Sequence, residues 1–116
     1  MDRIDLIRQG FDSVRENLHS LPARASGVPE LAAQRVQLTA QEALVHVEAA
    51  VRQTYHRPED FDFDDCLIWL NEMRNDLGRA TTEIRLRPDY VIDYVRGVGQ
   101  WASLPGDRRK RRPPRY

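Results

Sequence analysis

The residues in this sequence that could do chemistry are few, and each group stops short of a complete device. Glu16-Asn17-Leu18-His19 is a Glu-x-x-His pair, the spacing that puts a glutamate and a histidine on one helix face of a di-iron carboxylate bundle. That centre needs a second such pair, and none is present, since Glu42 and His46 stand four apart. Both pairs read as solvated polar-face residues, so no metal and no cofactor is expected. The lone Cys66 has no partner for an internal disulfide and reads as a small core residue.

Two further pairs, Arg15 with His19 and Arg52 with His56, would share a face at i, i+4 on a helix. Ribonuclease bundles of the HEPN class join an arginine phosphate clamp to a histidine base with four to six residues between them. Here only three intervene, so a HEPN-like ribonuclease built on Arg52 and His56 is the alternative reading and a non-catalytic protein the main one. Between Glu59 and Asp65 five carboxylates crowd seven residues, without the glycine and the final glutamate of an EF-hand loop. Asp62 or Asp64 there can cap a helix, while Asp60, Phe61 and Asp62 together offer an acidic, aromatic clamp for a basic partner segment. Trp69 and Trp101 lie at the edge of helical stripes, where aromatics either widen a core or mark an interface. Tyr90 and Tyr94, one turn apart, can pack together or stack on bases.

Positive charge is concentrated at the end of the chain. Arg108, Arg109, Lys110, Arg111, Arg112 and Arg115 are six cations within eight residues, beside two prolines and no apolar content. Such a segment has nothing to fold around, so residues 105–116 are expected to form a disordered tail whose ligand is a polyanion. Phosphate contacts by all six would make binding steeply salt-dependent and independent of base sequence.

The elements that position these groups follow from hydrophobic spacing. Ile4, Ile7, Phe11, Val14, Leu18 and Leu21 step by three and four, one stripe of a helix that Pro22 is expected to stop. A second helix enters at Pro29-Glu30 and runs to about Tyr55. Its apolar arc, which includes Leu31, Val36, Leu38, Ala43, Leu44 and Val47, is broad enough to touch more than one neighbour. Phe63, Cys66, Leu70, Met73, Leu77, Ala80 and Ile84 make a third stripe. Asp89 is expected to cap a short fourth helix carrying Val91, Ile92, Val95, Val98 and Ala102, closed by Pro105-Gly106. The reading is all-α, an up-down-up-down four-helix bundle over residues 1–104.

Length and composition agree. At 116 residues, with 41% hydrophobic and 31% charged residues, the chain supports one core and is neither a polyelectrolyte nor a disulfide miniprotein. No apolar run approaches a bilayer span and the N-terminus lacks a signal-peptide layout, so the expected compartment is the cytoplasm. The 18 basic and 18 acidic residues sum to zero, but residues 1–107 hold 12 basic against 18 acidic groups while 108–116 hold six cations and no acid. An acidic body therefore carries a basic end.

The runs Arg35-Val36…Ala40…Ala43-Leu44, Leu70…Met73-Arg74…Leu77…Ala80 and Val91…Val95-Arg96-Gly97-Val98-Gly99-Gln100-Trp101 resemble a four-helix-bundle family. It includes the accessory variability determinant of diversity-generating retroelements and the proteins of ribosomal-RNA intervening sequences. The resemblance spans residues 35–101. It implies a homopentamer without enzymatic activity that binds nucleic acid and a reverse transcriptase, with Arg35, Arg74 and Arg96 in structural or polyanion-facing roles. The acidic body departs from the basic accessory proteins, which moves much of the basic function to the tail. The function expected is an oligomeric adaptor for nucleic acid, RNA before DNA, and for a protein partner through Asp60, Phe61, Asp62, Trp69 and Trp101. A structural assembly protein of a phage or mobile element is a further alternative.

Overall fold

Asp2 opens the first helix, α1 (Arg3–Arg24), its carboxylate accepting the Ile4 backbone N–H at 3.4 Å. The computed structural model describes residues 2–60, 62–104 and 112–116, and for Asp60 the backbone alone. Ile7, Phe11, Val14, Leu18 and Leu21 of the α1 stripe are fully buried. Pro22 does not stop the helix but sits inside its last turn, and the Pro22 carbonyl accepts the Ala25 N–H. A proline this close to a C-terminus forfeits one hydrogen bond and has little helix after it to disrupt. Gly27, with φ at 90°, then turns the chain.

Helix α2 (Glu30–His56) buries small side chains, among them Val36, Ala40, Ala43, Val47 and Ala50. Small residues let neighbours approach closely, and a Cβ added at Gly99 would lie 3.1 Å from the Ala43 Cα. The apolar arc of α2 is narrower than its sequence implied. Leu31, Leu38 and Val45 are 76%, 61% and 62% exposed, a line of apolar residues at intervals of seven on the outer face.

After a short 3-10 turn at Pro58–Asp60, Asp62 caps α3 (Phe63–Glu83) by accepting the Asp65 N–H at 3.3 Å. Cys66, Leu70, Met73, Leu77 and Ala80 are buried on its inner face. Pro88 supplies the first residue of α4 (Pro88–Ser103), where its missing N–H has no role. Asp89 is therefore inside the helix instead of capping it, and its carboxylate pairs with Arg35 of α2 at 3.1 Å. Pro105 and Gly106 lie outside the described residues; α4 ends at Ser103.

The arrangement is a four-helix bundle, with no strand among the described residues. Helix α1 packs along α2 and α3, and α2 along α4. Arg3–Asp64 and Arg35–Asp89 join the N-terminal turns of α1 with α3 and of α2 with α4, so those pairs run parallel and consecutive helices alternate in direction. The fourth side of the square is different: α3 and α4 touch only sparingly. Among the described residues no helix is long and apolar enough to cross a membrane.

Candidate binding site between α3 and α4

Three acids on α3, Glu72, Asp76 and Glu83, stand four and seven residues apart and form one ridge facing the open seam. The middle one is unusual. Asp76 lies three residues after Met73 and four before Ala80, on the shoulder of the core stripe, and is only 2% exposed. A carboxylate there is strongly unfavourable without a cation and hydrogen-bond donors. Across the seam, Tyr90, Tyr94 and Gly97 of α4 repeat at four and three and supply the second wall.

The C-terminal residues Arg112–Tyr116 occupy this seam without helix or strand structure. Arg115 donates from Nε to Asp76 Oδ2 at 2.8 Å, and its Nη1 lies 3.1 Å from Glu72 Oε2. Arg112 Nη2 donates to both Glu72 oxygens at 3.2 and 3.3 Å. The Tyr116 backbone N–H also reaches Asp76 Oδ2 at 3.3 Å, and its hydroxyl donates to Glu83. Partners climb from Glu72 through Asp76 to Glu83, so the segment runs parallel to α3 and back along α4.

Packing completes the contact. Pro113 is buried, and Pro114 lies where a Cβ on Gly97 would meet its ring at 2.9 Å. The Tyr116 ring presents edges to Tyr90 and Tyr94, with centroids 5.6 and 5.5 Å apart, and Arg79 and Arg87 stand over it at 5.6 and 5.9 Å. Burial, and then the bond to Glu83, push the Tyr116 hydroxyl up to about 12. Burial raises Tyr94 further, with Asp76 adding to the effect against the opposing Arg115. Its buried hydroxyl has no hydrogen-bond partner among the described residues. The bond to Asp76 raises the affinity of Arg115 for its proton, locking the guanidinium in its charged form.

These contacts correct the expectation of a disordered tail over its last five residues. Tyr116 and the two prolines provide the apolar contact that the cations lack, and the α3 ridge provides the counter-charge. Arg108, Arg109, Lys110 and Arg111 lie outside the described residues.

The other residues singled out in the sequence are not gathered here. Arg74 lines a shallow cleft between α1 and α3 with Leu6, Gln9 and Gly10. Arg96 pairs with Asp93 at 3.3 Å and borders a cleft between α2 and α4 with Glu42 and His46. The two arginines thus belong to opposite sides of the bundle, because α1/α3 and α2/α4 are opposite layers. Trp101 is 4% exposed and stacks on Phe11 at 6.5 Å, which places it in the core and removes it from the outer partner surface. Trp69 is partly buried against the same core. Asp62 caps α3, while Phe61 and the Asp60 side chain lie outside the described residues. Arg15 is held by Asp12 at 2.8 Å, and His19, Arg52 and His56 are exposed on helix surfaces. Among the described residues no group of three or more His, Cys, Asp or Glu could hold a metal ion.

Sequence reasoning missed Asp76 and its ridge. The signal available was an aspartate on the shoulder of a core stripe together with two arginines and a tyrosine in the tail. Nothing local links Asp76 to Arg115, 39 positions further along the chain. No protein-family model, curated protein or solved structure matches the chain.

Proposed function

We propose that this protein is a non-catalytic, oligomeric helical-bundle adaptor that binds nucleic acid through its basic C-terminal region and a protein partner through the bundle. The observation that carries it is the separation of charge. An acidic body ends in six cations, of which the α3 ridge neutralises Arg112 and Arg115. The four consecutive cations Arg108 to Arg111 are the part of the chain best suited to a phosphate backbone, which attracts by charge and carries no base readout. RNA is the first ligand to test, and the resemblance to retroelement accessory proteins makes a reverse transcriptase the first protein partner.

The oligomeric part is supported by α2. Leu31, Leu38 and Val45 form a largely exposed apolar line at heptad spacing, the pattern by which one helix packs on another. Arg74 and Arg96 on opposite layers would then face different surfaces of an assembly.

Anisotropy of labelled RNA and DNA against the full chain tests the nucleic-acid part. Replacing Arg108, Arg109, Lys110 and Arg111 by alanine is expected to weaken binding and to flatten the plot of log affinity against log salt by about 3, from roughly 0.7–0.9 per phosphate contact. Unchanged affinity and slope would overturn it.

A further inference from the structure

The seam between α3 and α4 is a gap that a peptide completes. Its occupant has no secondary structure of its own and is held as a ligand is held, by side chains fitting prepared positions. A buried carboxylate takes one guanidinium, a second carboxylate is shared by two, a glycine leaves room for a proline ring, and aromatic edges with two arginines frame a tyrosine.

We propose that the α3/α4 groove is a peptide-binding site for the sequence Arg-Pro-Pro-Arg-Tyr, and that it accepts this segment from a second copy of the chain as well as from its own. Three observations support exchange. The groove fits this sequence, and every copy carries it. The segment has no helix or strand of its own to lose on leaving, and the Arg112 and Arg115 side chains stay 59% and 47% exposed while docked, so water already reaches both cations. Asp76, by contrast, is 3% exposed in its side chain and favours an occupied groove, so one copy leaving is best replaced by another. The inference is independent of nucleic-acid binding and supplies an interface distinct from the outer line of α2.

The test uses full-length chains. A receptor variant, Arg115→Ala with Tyr116→Ala, keeps the groove and disables its own segment; a donor variant, Asp76→Asn with Gly97→Val, keeps the segment and blocks the groove. A labelled Arg-Pro-Pro-Arg-Tyr peptide is expected to bind the receptor variant about tenfold more tightly than it binds the unaltered chain. That factor follows if the tethered segment competes at an effective concentration on the order of millimolar against a peptide affinity of about 0.1 mM. Mixed at concentrations above that peptide affinity, receptor and donor variants should form a complex heavier by light scattering than either alone. If the receptor variant fails to fold by circular dichroism, Tyr116→Ala alone takes its place in both measurements. Equal peptide affinity for receptor and unaltered chains, or no mixed complex, would overturn the proposal.

Discussion

Asp76 concentrates the physical chemistry of the molecule in one side chain. It is buried on a helix shoulder, and both the Arg115 guanidinium and the Tyr116 N–H converge on its Oδ2. Arg115→Ala is expected to lower the melting temperature, and Asp76→Asn in the same chain to restore part of the loss, because the uncompensated charge then disappears. A thermal double-mutant cycle reads this directly; strictly additive effects would contradict it. The tyrosines make the segment alkali-sensitive. Tyr116 is raised to about 12 and Tyr94 is also raised, so above the ordinary tyrosine value near 10 the unfolded chain binds fewer protons than the folded one. Their contribution is complete below pH 10 and is lost as pH climbs towards 12. Stability should therefore fall over that interval in pH-dependent melts, and less so in Tyr116→Phe.

On the scale of single elements, the helices depend on caps and close approaches. Asp62→Ala removes the only described side-chain cap of α3 and should cost about 1 kcal/mol in denaturant unfolding. Two glycines of α4 separate bundle packing from groove packing. Gly99→Val would force a branched side chain against Ala43 and is expected to cost about 1–3 kcal/mol through overpacking of α2 against α4. Gly97→Ala should gain up to about 1 kcal/mol from helix propensity, offset by whatever its Cβ costs in displacing Pro114 and loosening the Arg115 contact to Asp76. Hydrogen exchange at Arg115 and Tyr116 would detect the displacement. On α2, Leu38→Glu on the exposed line should change unfolding by no more than about 0.5 kcal/mol yet lower the mass of any oligomer that uses that face.

For the molecule as a whole, zero net charge conceals two parts that attract one another. The last five residues fold back on an acidic ridge, so Arg112 and Arg115 already have intramolecular partners, and a polyanion must compete for them. Much of the fold was legible from spacing. The stripes of α1, α3 and α4 enter the core nearly residue for residue, because a three-four alternation leaves a helix only one face to bury. The broad arc of α2 was less legible. Leu31 and Leu38 are as apolar as Leu44, and only the positions of α1 and α4 determine which of them meets a neighbour. Trp101 carries the same ambiguity in the sequence, and its stacking on Phe11 resolves it in favour of the core.

Sequence alone determined the helical class, the number of helices, an aspartate cap for α3 at Asp62 or Asp64 and the opposed charges of body and end, since each depends on residues within a few positions of one another. Tertiary structure decided what those charges do. Glu72, Asp76 and Glu83 become a binding ridge only because α3 and α4 stand apart on that side, and Arg115 and Tyr116 reach it only because the chain doubles back. Pairings across some forty residues leave no local period in the sequence, because they are set by how the helices close around the core.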